Sequence, residues 1–295
     1  MAKRVFQGSL VALVTPFRDG KVDEATLREL VEFQIAGGTD AIVPCGTTGE
    51  APTLDHDEYK QVVETVIAAV NRRIPVVAGT GSYSTAEAIA RTRHAKQAGA
   101  DGALVVLPYY NKPTQQGLIE HCRAIADAVD LPLILYNIPG RTGVNMLPDT
   151  LAQLADHPNI VGMKEATGDI VQMTHDIVLC GSKLSFLSGD DTLTLPLMAV
   201  GGRGVISVVA NIVPKDVADM THAFLNGDWK RARELHLKLF PLSQAMFIET
   251  NPIPVKTSLA RMGKIREEFR LPLCPMTEAN RKKLETALRN YGLLP

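Results

Sequence analysis

The sequence predicts an α/β protein, a (β/α)8 barrel over residues 1–227 followed by a C-terminal helical region over residues 228–295. Three observations carry this expectation. Eight short apolar runs, rich in β-branched residues, recur along the chain without period-two alternation, as expected of parallel strands covered on both faces. Stretches of helical period separate them. No G-x-G-x-x-G follows any run, which disfavours a doubly wound dinucleotide-binding sheet.

The first run covers residues 10–14. The preceding Met1-Ala2-Lys3-Arg4 faintly resembles the start of a signal peptide. However, the apolar stretch is short, contains Gln7-Gly8-Ser9 and meets Pro16 and Arg18, so it reads as a strand. Asp23-Glu24 opens the first helix and Gly37-Gly38 closes it. The second and third runs are residues 41–43 and 75–78; Ser84-Thr85-Ala86-Glu87 then resembles a capping box before a helix that ends at Gly99. Runs at 103–107 and 133–136 follow, with Pro148-Asp149 starting another helix, and then runs at 160–163, 184–187 and 204–209. Beyond a hinge near Gly227-Asp228, residues 229–247, 255–262 and 277–291 have helical period.

Composition narrows the function. The chain has 31 basic and 32 acidic residues, a formal net charge of -1 and no long like-charge run, so nucleic acid and acidic membranes are not expected partners. Cys45, Cys122, Cys180 and Cys274 are dispersed and form no C-x-x-C pair, which fits a reducing cytoplasm better than a disulfide scaffold or a zinc ribbon. No apolar segment reaches the ~18 residues of a membrane helix; the nearest, 192–214, is broken by Arg203 and by glycines. No metal is expected, because His56, His94, His121, His157, His175, His222 and His236 show neither H-x-H nor H-x-x-x-H spacing. Asp190-Asp191 reads as a helix cap rather than a cation site. No cofactor motif is present.

In a barrel the reacting groups sit at the C-terminal strand ends, and there the chain is rich. Lys164, in Ile160-Val161-Gly162-Met163-Lys164-Glu165-Ala166, stands where an apolar strand runs out. Two readings are open. Its stem bends out to water or pairs with Glu165, or the buried amine loses its proton and becomes a nucleophile toward carbonyl compounds. Gly46-Thr47-Thr48-Gly49 offers backbone N–H groups and hydroxyls suited to a carboxylate or phosphate, although an ordinary turn has the same composition. Tyr109-Tyr110 and Tyr136 lie at strand ends as proton carriers or as rim aromatics. Arg141, between Pro139-Gly140 and Thr142-Gly143, is either a bidentate carboxylate clamp or a solvated loop residue.

Taken together, Gly46-Thr47-Thr48-Gly49-Glu50, Pro108-Tyr109-Tyr110, Tyr136-Asn137-Ile138-Pro139-Gly140-Arg141-Thr142-Gly143, Gly162-Met163-Lys164-Glu165-Ala166 and Ser188-Gly189-Asp190-Asp191 closely resemble the dihydrodipicolinate synthase family of pyruvate-dependent class I aldolases. The likeness runs from Gly8-Ser9 through Asn251-Pro252-Ile253-Pro254-Val255-Lys256 and so covers nearly the whole chain. It implies a lyase that binds pyruvate as a Schiff base on Lys164 and condenses it with L-aspartate 4-semialdehyde to 4-hydroxy-tetrahydrodipicolinate, on the diaminopimelate route to lysine. It further implies a relay of Tyr136, Thr47 and Tyr110, with Tyr110 reaching in from a neighbouring subunit, and a homotetramer built from tight dimers. Thr47 and Thr48 would hold the pyruvate carboxylate, Arg141 that of the aldehyde substrate, and Gly189 and Ile206 would set main-chain atoms near the intermediate.

Two alternatives accompany this reading: a 2-keto-3-deoxy sugar-acid aldolase, which Arg141 disfavours, and a catalytically inactive sensor, which the retained Lys164, Tyr136, Tyr110, Thr47 and Arg141 disfavour. The resemblance also implies a regulatory lysine site at His56, Glu87 and Tyr109. Here Ala51, Tyr59 and Tyr83 replace the serine, histidine and asparagine of the strongly inhibited enterobacterial type, so weak or absent inhibition is expected.

Overall fold

The computed structural model describes residues 3–295; Met1 and Ala2, with which the predicted barrel begins, lie outside the described residues. Among the described residues, eight parallel strands form one sheet: β1 Gly8–Ala12, β2 Ala41–Val43, β3 Val77–Gly79, β4 Gly102–Val106, β5 Leu133–Asn137, β6 Ile160–Glu165, β7 Ser185–Ser188 and β8 Gly204–Ser207. Bonded neighbours run β2-β1-β8-β7-β6-β5-β4-β3, and a parallel bridge from Ile42 to Val76 joins the two ends. The sheet therefore closes into the expected barrel.

Each predicted run overlaps a strand, and the differences lie at the ends. β1 starts two residues early because Gly8 and Ser9 pair with Gly204 and Val205, and a glycine and a serine carry no apolar signal. β8 stops at Ser207 although the apolar run continues. There the Asp191 carboxylate accepts from Val208 N and Val209 N, both at 3.0 Å, and the Ser207 hydroxyl accepts from Ala210 N at 2.8 Å, so the chain turns into a 3-10 helix, Val209–Asn211. An antiparallel hairpin, Phe17–Arg18 with Lys21–Val22, was not expected; its two-residue arms are too short to show a period.

The helices are α1 Glu24–Ala36, α2 His56–Val70, α3 Thr85–Ala98, α4 Gln115–Ala128, α5 Pro139–Thr142, α6 Pro148–Ala152, α7 Ile170–Cys180, α8 Thr194–Ala199, α9 Pro214–Leu225, α10 Trp229–Ala245, α11 Ile253–Arg261 and α12 Glu278–Tyr291. Asp23 caps α1 by accepting from Thr26 N, and Gly99 ends α3 at φ +98°, a left-handed conformation that favours glycine. The expected capping box on α3 is half formed. Ser84 accepts from Glu87 N, whereas the Glu87 carboxylate accepts from Ser82 Oγ and pairs with Arg91. The complete box is on α2, between Asp55 and Glu58.

The core has two shells. Leu10, Val43, Leu104, Ile134, Val161, Leu187 and Ile206 fill the barrel, and a larger layer packs the outward strand residues, such as Val11, Ile42, Val105 and Leu135, under the helices. α10 lies along α9, and α12 packs against α10 and α11. Among the described residues no helix is long and apolar enough to cross a membrane.

Candidate active site

Lys164 faces the barrel interior because β6 carries one residue more than its neighbour. Leu133 pairs with Ile160 but Ile134 pairs with Gly162, so two residues of β6 stand opposite one step of β5. Alternation is thereby shifted: Val161 belongs to the interior cluster, Met163 to the outer layer, and Lys164 lies inside, beside Tyr136 in the register. Glycine fits the irregularity, since a Cβ on Gly162 would come within 2.7 Å of the Ser185 carbonyl oxygen. Glu165 consequently points outward. It accepts from Asn137 Nδ2 at 2.9 Å and Thr167 Oγ1 at 2.6 Å, and so is not a partner for Lys164.

The Lys164 stem enters a cavity of about 610 Å³, lined among others by Thr47, Thr48, Tyr136, Arg141, Gly189 and Asn251. The volume suits a small-molecule site. Lys164 is 5% exposed, and its Nζ lies 4.3 Å from the centre of the Tyr136 ring. Burial lowers its pKa to about 7; the Asp191 carboxylate opposes the shift and Arg141 adds to it. Tyr136 shows the same desolvation, which pushes its phenol well above its ordinary value. Lys164 Nζ, Tyr136 Oη and Thr47 Oγ1 have no hydrogen-bond partner among the described residues, although all three residues line the cavity. Polar groups without a protein partner on a cavity wall are available to a ligand.

Thr47 and Thr48 follow β2 on a loop pinned from three sides. Thr15 Oγ1 donates to Gly49 O at 2.7 Å, Asn251 Nδ2 donates to Thr48 Oγ1 at 3.0 Å, and the fully buried Glu50 carboxylate pairs with Lys256 of α11. Cys45 and Glu50, at φ +55° and +52°, hold the loop ends in left-handed backbone. Arg141, on the one-turn helix α5, donates from Nη2 to Asn251 O at 3.0 Å and has no carboxylate partner among the described residues. Gly189 leaves room for the Lys164 stem: a Cβ there would sit 3.0 Å from Lys164 Cε and 2.7 Å from Ala166 Cβ.

The remaining expected residues fall in different places. Ile206 is fully buried inside the barrel, and Val208 of the same strand end lines the cavity. Glu87 and Tyr109 line the outer part of the cavity with Tyr83 and Arg91, where Tyr109 and Tyr83 meet edge to face at 5.3 Å. His56 is exposed at the start of α2 and is not among the lining residues. Tyr110 is 91% exposed at φ +68° on the loop after β4, also outside the cavity lining. Asp190 caps the following turn by accepting from Thr192 N at 2.8 Å, while Asp191 is buried and its carboxyl is pushed up by burial. Among the described residues no group of three or more His, Cys, Asp or Glu side chains could hold a metal ion. Sequence reasoning gave no separate role to Asn251, Lys256 or Phe247; the Asn-Pro-Ile-Pro-Val-Lys string marked the first two, and no pattern marked Phe247, which lines the cavity.

A near-neutral amine at the C-terminal mouth of a (β/α)8 barrel, beside two threonine hydroxyls and an arginine, defines a lyase of the Schiff-base-forming class I aldolase type. The model of the dihydrodipicolinate synthetase family matches residues 5–291, and the chain belongs to this family. A 4-hydroxy-tetrahydrodipicolinate synthase of Geobacter sulfurreducens is 63% identical over 290 residues, covering 98% of this chain and all of the relative. The pyruvate complex of the chloride-inhibited dihydrodipicolinate synthase from Acinetobacter baumannii is 50% identical with a TM-score of 0.96, covering 98% of this chain and 99% of that one. A monomeric dihydrodipicolinate synthase variant is 44% identical with the same TM-score of 0.96, covering 98% of both chains.

Proposed function

We propose that this chain is a 4-hydroxy-tetrahydrodipicolinate synthase that condenses pyruvate with L-aspartate 4-semialdehyde on the diaminopimelate route to lysine. The observation that carries the reading is the Lys164 amine, held near neutrality and without a hydrogen-bond partner among the described residues, in a cavity that also contains two threonines and an arginine with no carboxylate partner among them.

The neutral amine attacks the ketone of pyruvate and water leaves, giving an imine. A methyl proton leaves carbon as the imine nitrogen takes one up, giving an enamine whose carbon attacks the aldehyde of the second substrate, and the resulting alkoxide takes up a proton. The amino group of that substrate then displaces Lys164 as the ring closes, which frees the enzyme. Thr47 and Thr48 grip the pyruvate carboxylate and Arg141 grips the second carboxylate, a match of a planar fork to a planar anion. Gly189 keeps the space that the imine needs beside the Lys164 stem, and Ile206 sets main-chain atoms near the intermediate.

A tyrosine of raised pKa is a poor base alone, so Tyr136 works in a chain with Thr47 and Tyr110 that leads protons to solvent. The exposure of Tyr110 fits a side chain that completes the cavity of another copy. The functional unit in this reading is a homotetramer of tight dimers in the cytoplasm, with the barrel at 1–227 and the helical region at 228–295. Glu87 and Tyr109, with His56, remain as a regulatory site that binds lysine weakly or not at all; a submillimolar inhibition constant would contradict this.

Incubation with pyruvate and borohydride should add one reduced pyruvate to the peptide carrying Lys164. An unmodified peptide would sink the reading. Arg141→Ala should raise KM for the semialdehyde while leaving pyruvate trapping intact, and unchanged turnover would remove the clamp role.

A further inference from the structure

Asn251 touches both groups to which the proposed function assigns a carboxylate. Its side-chain Nδ2 donates to Thr48 Oγ1 at 3.0 Å, and its main-chain oxygen accepts from Arg141 Nη2 at 3.0 Å. It is only 5% exposed, and together with Phe247 it forms the contribution of the C-terminal region to the cavity lining. Five residues further on, Lys256 is ion-paired with Glu50, two residues after Thr48. The segment from Asn251 to Lys256 therefore grips the Gly46–Glu50 loop at two points.

We infer that Asn251 is a positioning residue that sets the direction of the Thr48 hydroxyl proton and the orientation of Arg141, so that the two carboxylate sites are held by one residue. The direction follows from donor and acceptor counting. With the amide N–H pointing at Thr48 Oγ1, the hydroxyl has no use for its own proton at Asn251 and presents it to an acceptor in the cavity. The reverse amide orientation would draw that proton onto Oδ1 and leave an NH2 group buried with both hydrogens unmet. The observed orientation uses one amide hydrogen and leaves the other, with the buried acceptor Asn251 Oδ1, unpaired. Among the described residues Arg141 bonds only to a neutral carbonyl and has no carboxylate partner, so it is aimed without being neutralised.

This inference rests on the proposed pyruvate chemistry, and its test separates the two. The probes are pyruvate, L-aspartate 4-semialdehyde and borohydride with the full-length protein. Asn251→Ala removes the amide and keeps the main-chain carbonyl, so KM for pyruvate should rise about 10-fold while KM for the semialdehyde changes less than about twofold, with kcat nearly kept. In a Thr48→Val background the same change should add almost nothing, because the two residues act through one hydrogen bond. Asn251→Asp, of the same shape, accepts the hydroxyl proton and should raise KM for pyruvate at least as much; it serves where truncation lowers the folded yield. Equal KM values in wild type and both variants, or full additivity with Thr48→Val, would overturn the role of Asn251 while wild-type trapping on Lys164 stands. Failure of wild-type trapping would instead remove the pyruvate reading beneath it.

Discussion

Two lysines, Lys164 on β6 of the barrel and Lys256 on α11, have nearly the same burial and different electrostatic surroundings. Lys164 is 5% exposed and Lys256 is not exposed at all, and each ammonium position lies 4.3 Å from the centre of an aromatic ring, Tyr136 in one case and Phe17 in the other. Desolvation lowers the pKa of both. Lys256, however, has the Glu50 carboxylate as a direct partner, which pulls its pKa back up. The buried carboxylate nearest in effect to Lys164 is Asp191, which is occupied by the N–H groups of Val208 and Val209 and acts on the amine only through space. Burial alone thus does not make a nucleophile. A buried lysine becomes one when the nearby carboxylate is committed elsewhere, and it becomes a structural tie when the carboxylate is free to meet it.

This contrast can be broken in order of effect. Lys164→Arg, which cannot lose its proton, should reduce turnover at least about 10⁴-fold and abolish borohydride-trappable pyruvate, read by mass spectrometry; an active variant would refute the nucleophile. Glu50→Gln leaves Lys256 buried without a counter-charge and should cost about 3–5 kcal/mol in urea unfolding. Glu50→Leu combined with Lys256→Met should recover most of that loss, and a double variant as unstable as the single one would contradict the pairing argument.

Lys164→Met should stabilise the fold, by about 2–4 kcal/mol at neutral pH, because it removes an uncompensated buried amine. With a folded pKa of about 7 against an ordinary 10.5, Lys164 destabilises the fold fully below pH 7, and the cost disappears as the pH rises toward 10.5. The advantage of Lys164→Met in melting temperature should therefore shrink over that window, and the rate of pyruvate trapping in the wild type should rise through pH 7 and level off. A flat rate profile would show that the amine is not the titrating group. Smallest in stability, about 1–3 kcal/mol, is Gly189→Ala, whose methyl meets Ala166 and the Lys164 stem; it should nonetheless slow trapping several-fold.

Glu165, on the outer face of β6, and Asp176, on α7, offer a second test of sign. Burial raises Glu165 to about 7 and Asp176 to about 8. Acids raised in this way weaken the fold as the pH climbs from about 4 through 8, opposite to Lys164. Asp176→Asn should flatten that decline in a stability profile.

How much of this was readable from the chain depends on the range of the interaction involved. The barrel was legible because apolar continuity and helical period are local signals, and Lys164, Tyr136, Arg141 and the Thr47-Thr48 loop were legible as strand-end residues. The hairpin at Phe17–Val22 was hidden by its length, and the end of β8 by an apolar run that the Asp191 carboxylate and the Ser207 hydroxyl turn aside. Tyr110 illustrates another limit, for on a single chain it is 91% exposed and outside the cavity lining, and its proposed place in the relay depends on a second copy.

The amino-acid sequence by itself determined the order of strands and helices, the residue types at the barrel mouth and the absence of long charged or membrane-length runs, all properties of neighbours along the chain. Only the tertiary structure decided which side Lys164 faces, since that depends on one extra residue in the β6 register, and which lysine is paired, since Glu50 and Lys256 meet across 206 positions. The physical reason is common to both. Burial and charge pairing are set by what the closed barrel brings together in space, and the pKa of an amine responds to those surroundings rather than to its sequence neighbours.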